Sequence, residues 1–386
     1  MQTYQTDGAN ALASEPDSNN VVLPSQTIQE FIANNIIISD RQVEDNQIQP
    51  ASLDLRLGAA AYRVRAGFLP GKGVRVMDRV EDLKMHEVSL VGEGGVLEKG
   101  AVYIIPLLES LNLPQDVQAN ASPKSSTGRL DILTRLITEE GTRFDTIPSG
   151  YQGRLYLEVT PLTFSVIARQ GDTLNQIRFR KGQPNLSDEA LQQLDNDRSL
   201  IYLDNDQAEA AYISDGVWLS VDLEGKSEDG IVGYRSRSSA PLLDLRNINH
   251  YSLEDFWEPI YRPQSGRVIL DPESFYIMGS RERIQIPPEY SCEMVAYDTT
   301  AGELRVHYAG FFDPAFGCGA NYEINGTTAV LEIRSHDVPF VIEHGQRICR
   351  MVYERMEERP NKLYGVDVKS NYAQQKLKLA KQFKMD

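Results

Sequence analysis

Two tandem domains, each mainly β with a few short helices, are predicted by three features of this 386-residue sequence. Short period-two or all-apolar runs recur between Gly, Pro and Asp, as at Ser52–Leu57, Val102–Leu108, Arg154–Val159 and Phe164–Ala168. Such spacing belongs to sandwiches and barrel-like folds. Three blocks also occur twice at a nearly constant distance, and a polar stretch separates the two sets.

Duplication is the sharpest of these signals. ASLDLRLG at Ala51–Gly58 returns as LSVDLEG at Leu219–Gly225, with Asp54 matched to Asp222. VYIIPLLESLNLPQDV returns as FYIMGSRERIQIPPEY, so Tyr103 matches Tyr276 and Pro114 matches Pro287, both 173 residues on. LEVTPLTFSVIARQG returns as LEIRSHDVPFVIEHG, so Glu158 matches Glu332 and Gly171 matches Gly345, both 174 residues on. So steady an offset implies one β unit copied once. Residues 21–182 are expected to form the first domain and 211–358 the second, joined by a linker at 183–210. The first 20 residues read as a disordered arm, and 359–386 as a polar tail.

Among local elements, Pro24–Ile36 reads as a short helix, with Thr27 and Glu30 at capping-box spacing. The glycines of Gly92–Gly95 read as a hairpin turn. Apolar runs such as that ending at Ile38 are too short to span a bilayer. Cys292, Cys318 and Cys349 are odd in number and far apart, which fits a reducing, cytoplasmic setting. The net charge of −16 disfavours a nucleic-acid polymer as partner.

One polar string stands out against that acidic background. Lys124-Ser125-Ser126-Thr127-Gly128-Arg129 offers two cations, three hydroxyls and a glycine for phosphate oxygens. In the second copy, Asp298, Thr299, Thr300, Gly302 and Glu303 occupy the matching places. The hydroxyls and glycine persist while both cations become acids, so only copy one can hold a polyanion. In RLYLEV, alternation sets Leu155 and Leu157 on one side and Arg154, Tyr156 and Glu158 on the other. A strand carboxylate there is ordinarily an exposed face residue or half of a surface pair, and its recurrence as Glu332 also admits a buried structural acceptor.

IQPASLDLRLG, SSTGRLD, FDT…GYQGRLYLE and GDTLNQIRF together resemble the dCTP deaminase family, in its long duplicated bacterial form within the dUTPase-like superfamily. The resemblance runs from Leu23 onward. It implies tandem dUTPase-like β-clip domains, a homotrimer or higher homo-oligomer, and hydrolysis of dCTP to dUTP and ammonia. It also implies Mg²⁺ bound through the nucleotide triphosphate and dTTP as an inhibitor without assigned residues. By this resemblance Lys124 to Arg129 hold the triphosphate, and Glu158, Ser125 and Arg129 do the catalysis. Arg143, Asp145, Tyr156 and Leu157 line the nucleotide, and Tyr364, Tyr372 and Gln375 close over it.

Departures from the family pattern are Lys124 in place of arginine, Asn371 in place of a lysine, and a longer Asp145–Gly150 turn. A zinc deaminase is disfavoured, because there is no Cys-x-x-Cys and His86, His250, His307, His336 and His344 lack ligand spacing. Two rivals stay open at this point: a bifunctional enzyme proceeding to dUMP, and a non-catalytic nucleotide-binding paralogue.

Overall fold

Both copies fold the repeated blocks into the same ladder in the same register. In the computed structural model, Gln152–Pro161 pairs antiparallel with Val102–Asn112, placing Glu158 opposite Ile104 and Leu157 opposite Ile105. Thr327–Ser335 pairs with Phe275–Ile284, placing Glu332 opposite Ile277 and Leu331 opposite Met278. Period-two burial fixes this register, since a one-residue slip would turn Leu157 or Leu331 out of the core. The structure describes residues 19–204, 206–225, 229–296, 304–306, 310–335, 337–368 and 376–384.

Each copy is two sheets with apolar inner faces. Copy one stacks Thr173–Lys181, Gln118–Pro123 and Leu53–Arg56 against the sheet of Ala60–Val64, Val102–Asn112, Gln152–Pro161 and Ile132–Thr138. Copy two repeats this with Arg347–Arg355, Tyr290–Ala296 and Val217–Ser220 against the sheet built on Phe275–Ile284 and Thr327–Ser335. Leu55, Ile105, Leu157 and Phe179 belong to one core, and Leu219, Met278, Leu331 and Met351 to another.

The two copies are joined by more than the chain. Leu243–Asp244 runs parallel to Val166–Ala168 and so adds a strand from copy two to a sheet of copy one. The core of copy one also takes in Trp257, Phe275, Ile277 and Val330. Arg178 and Arg180 of copy one reach Glu354 of copy two at 3.0 and 2.7 Å. Burying those charges is tolerable only because they are paired and hydrogen-bonded.

Several local expectations change. The helix forms at Ser25–Ala33, but Pro24 stands at its N-cap without a side-chain bond. Thr27 instead donates its hydroxyl to Glu357 at 3.3 Å. Gly92 and Gly94 take positive φ, 67° and 84°. Their turn passes the chain from a strand paired with Ala60–Val64 to one paired with Val166–Ala168, so it is no hairpin. The linker 183–210 holds the one short amphipathic helix its sequence predicts, Asp188–Asp197, but also the strands Ile201–Tyr202 and Ala208–Glu209, which extend a sheet of copy two. The end of the tail is not frayed either. Leu379, Ala380 and Phe383 enter the core of copy one, and the Phe383 ring meets Phe256 at 5.2 Å and Trp257 at 5.8 Å. Phe383→Ala is expected to cost on the order of 3 kcal/mol of stability, read as a lower denaturant midpoint; an unchanged midpoint would show that the tail is merely draped there.

Candidate active site

The polar string after Gln118–Pro123 folds as a single helical turn, Ser125–Gly128, preceded by an extended Lys124. Its backbone closes on itself: the N–H groups of Thr127 and Gly128 donate to the Lys124 carbonyl at 2.8 and 3.0 Å. Lys124 forms an ion pair with Asp54 and donates to the Thr173 hydroxyl at 3.2 Å. Arg129 donates to the Lys378 carbonyl of the tail at 2.8 Å. Lys381 lies close enough for Lys124 to depress its pKa, together with burial, which acts more strongly. Two neighbouring cations, one of them costly to keep charged, make a ready seat for an anion.

Copy two faces this turn. Pro123, Lys124, Ser125 and Arg129 line a cavity together with Phe311, Asp313, Glu332 and Tyr364. Glu332 lies directly against Gly128, where an added Cβ would fall 2.7 Å from its Cδ and 2.8 Å from its Oε1. Glu332 is only 8% exposed. Burial pushes its carboxyl well above the usual range, Arg129 pulls it down, and Asp131 pushes it up. Burial likewise lifts Asp313 to about 6 against the pull of Arg178, while Asp54 adds to the rise. An acid kept partly desolvated beside a cation, in a cleft, is suited to taking and returning a proton near neutrality. The cleft widens past Lys124, Ser125 and Ser126 toward Arg41, Arg246 and Lys381.

The chain matches the N-terminal domain of 2'-deoxycytidine 5'-triphosphate deaminase over residues 19–183 and its C-terminal domain over 187–383. It belongs to the dCTP deaminase family. A crystal structure of 2'-deoxycytidine 5'-triphosphate deaminase from Agrobacterium tumefaciens is similar with a TM-score of 0.83 and 46% identity, covering 89% of this chain and 100% of that one. The "dCTP deaminase, dUMP-forming" of Methanobrevibacter smithii is 25% identical over 47% of this chain and 96% of its own length. The dCTP deaminase of Halorubrum lacusprofundi is 25% identical over 50% of this chain and 91% of its own. Relatives nearly matched in full by about half of this chain fit the duplication seen in its sequence.

Within this family member, the expected residues fall into two groups. Lys124, Ser125, Ser126, Thr127, Gly128 and Arg129 form the turn at the cleft, and Tyr364 stands across it, its ring 5.3 Å from that of Phe316. Tyr372 and Gln375 lie outside the described residues, as do His307, His336 and the copy-two string from Asp298 to Glu303.

Glu158, Asp145, Arg143, Tyr156 and Leu157 form a separate group within copy one. Glu158 accepts from Arg135 Nε at 2.8 Å, and the Arg135 guanidinium rests 3.8 Å over the Phe144 ring. A Cβ on Gly67 would sit 3.0 Å from both the Glu158 Cδ and Arg135 Nη2, so backbone seals the carboxylate. Asp145 accepts the Leu136 N–H at 2.7 Å, and burial carries it to about 7. The Tyr156 hydroxyl donates to Glu139 at 2.7 Å, Leu157 is core, and Arg143 is exposed.

In this chain Glu158 pairs with Arg135, away from the cavity that the cationic turn lines. The cause is an excursion between Ala60–Val64 and Lys84–Ser89. Its helix Val76–Leu83 sets Val76 and Val80 against Ile104, Ile137 and Tyr156, the face that carries Glu158. The matching excursion of copy two, between Ile231–Ser236 and Trp257–Tyr261, instead sends Leu243–Asp244 to copy one. The Glu332 face is thereby left for Gly128. Glu332 and Asp313 were missed as cleft residues although a signal existed: copy one keeps the cations, copy two loses them, and both copies keep the acids.

Proposed function

We propose that this chain hydrolyses dCTP to dUTP and ammonia at a site that both copies build, with Glu332 as the proton-transfer group. The observation that carries this reading is the close approach of Glu332 to Gly128 of the cationic turn. Lys124, Arg129 and the hydroxyls and N–H groups from Ser125 to Gly128 hold the triphosphate, which carries its own Mg²⁺. Asp313 accepts from the deoxyribose hydroxyl, and Tyr364 with the tail segment around Tyr372 and Gln375 covers the nucleotide.

Chemistry follows from those placements. Glu332, as carboxylate, takes a proton from the water that attacks C4 of the cytosine. Glu332 passes that proton to the ring nitrogen N3 as the tetrahedral carbon forms, then takes the proton of the new C4 hydroxyl and delivers it to the departing amine. The C4–N bond breaks, ammonia leaves, and a carbonyl remains. Ser125 orients the water, while Arg129 keeps Glu332 ionised often enough to act as base.

The family resemblance supports four further parts of this proposal: domains near 21–182 and 211–358, a homotrimer or higher oligomer, inhibition by dTTP, and a cytoplasmic setting. All three cysteines are free and buried, as a reducing compartment would leave them. Among the described residues no helix is long and apolar enough to cross a membrane.

The test is a product assay with the full chain, dCTP and Mg²⁺, followed by NMR and ammonia release. One ammonia per dUTP is expected. Appearance of dUMP with ammonia would add a diphosphatase step to the deamination. Intact dCTP over a long incubation would overturn the proposal and favour a binding-only role.

A further inference from the structure

We propose that Arg178, a fully buried residue of copy one, positions Asp313 of copy two for its contact with the nucleotide sugar. The inference rests on the reading of the cleft given above. The Arg178 guanidinium addresses three consecutive residues of the opposite copy. Nη2 donates to the Phe312 carbonyl at 3.2 Å and to Asp313 Oδ1 at 3.4 Å, and the Phe311 ring lies 4.2 Å from Cζ. Nη1 donates to the Cys292 carbonyl at 2.9 Å and to Glu354 at 3.0 Å. A rigid planar fork is the side chain that can meet so many acceptors at once.

The two copies differ in the cation that acts on this aspartate. In copy one Arg143 stands two residues before Asp145; in copy two Phe311 stands two residues before Asp313. The cation that acts on Asp145 is Arg135 of its own copy, whereas the one that acts on Asp313 is Arg178 of the other copy. Arg178 and Arg180 share Glu354, and Arg180 also pairs with Glu293 at 2.8 Å, so two cations serve three carboxylates of copy two. Arg178 thus contacts Asp313 while it joins the copies.

The groups around Asp313 come from several elements. Arg178 stands on Thr173–Lys181, Asp54 on Leu53–Arg56, and the Ala51 backbone also bonds to Asp313. Lys124, Arg129, Glu332 and Tyr364 share its cavity. Of the cations among these, Arg178 alone has a direct bond to the Asp313 carboxylate among the described residues. Removing it leaves the turn in place through its backbone but lets the carboxylate turn and take up a proton more readily.

The experiment compares Arg178→Met, Arg178→Lys, Asp313→Asn and the double variant Arg178→Met/Asp313→Asn, each as full chain, in dCTP kinetics across pH. Arg178→Met is expected to raise KM for dCTP about tenfold, the scale of one charge-assisted hydrogen bond, with a smaller change in kcat. The acid limb of kcat/KM should move to higher pH in Arg178→Met and partly return in Arg178→Lys. With Asn at 313 the methionine change should add little further loss. A staple with no part in the site would lower melting temperature while leaving the limb unmoved, and its loss would be equal in both backgrounds; that result overturns the proposal. Should Arg178→Met not fold, Arg178→Lys decides by the same limb and the same cycle with Asp313→Asn. If Glu332→Gln retains turnover, the cleft itself is misassigned. A silent Glu332→Gln with additive Arg178 and Asp313 effects rejects Arg178 alone.

Discussion

Glu332→Gln is expected to reduce dCTP turnover by on the order of 10³-fold, the middle of the range for loss of a general acid–base group, while Glu158→Gln stays near wild type. Glutamine keeps the shape and burial of Glu332 against Gly128 but can neither accept nor return a proton. Stability should move the other way. Burial raises the folded-state pKa of Glu332 above its ordinary 4.5. The folded chain then binds that proton more tightly than the unfolded chain, so stability is given up as pH climbs from the unfolded value to the folded one. Glutamine does not pay this penalty, and the melting temperature of Glu332→Gln at neutral pH should equal or exceed wild type. Lost activity in an equally stable protein would separate chemistry from misfolding. Burial raises the Glu158 carboxyl as well, against the pull of Arg135, so the contrast between the two glutamines lies in activity, kept in Glu158→Gln and lost in Glu332→Gln.

Gly128→Ala is expected to cut kcat/KM about a hundredfold with little loss of stability. The three atoms nearest to the added methyl group all belong to the Glu332 carboxyl, the far end of a flexible side chain. The fold can yield cheaply by swinging that carboxyl aside, and a displacement near 1 Å at the reacting group is enough for such a loss. Thermal melts alongside steady-state kinetics check both halves. A normal rate in Gly128→Ala would mean that the carboxyl is not poised against the turn during catalysis.

The sequence made the sheet pattern and the duplication readable because both are encoded locally. Tyr103 and Tyr276, or Glu158 and Glu332, keep their places in a ladder whose register a single apolar slip would ruin. The anion-binding turn was readable for the same reason, with its cations, hydroxyls and glycine contiguous in the chain. Which glutamate faces that turn was not readable. Gly128 and Glu332 are distant in sequence, and their meeting depends on where two excursions travel: Val76–Leu83 folds back over Glu158, whereas Leu243–Asp244 crosses to the other copy. Periodicity says nothing about such docking. The same applies to Phe383, whose polar sequence neighbours suggested a loose end while its ring had an aromatic cluster to enter. Thr27 shows a smaller version, its capping role displaced by a bond to Glu357.

The most direct measurement is a crystal structure of Glu332→Gln, full chain, soaked with dCTP and Mg²⁺. The account predicts the triphosphate on Lys124 to Arg129, the sugar at Asp313, and cytosine C4 facing the residue 332 side chain. A nucleotide seated instead on the face of copy one, with C4 at Glu158 and Arg135 displaced, would contradict it.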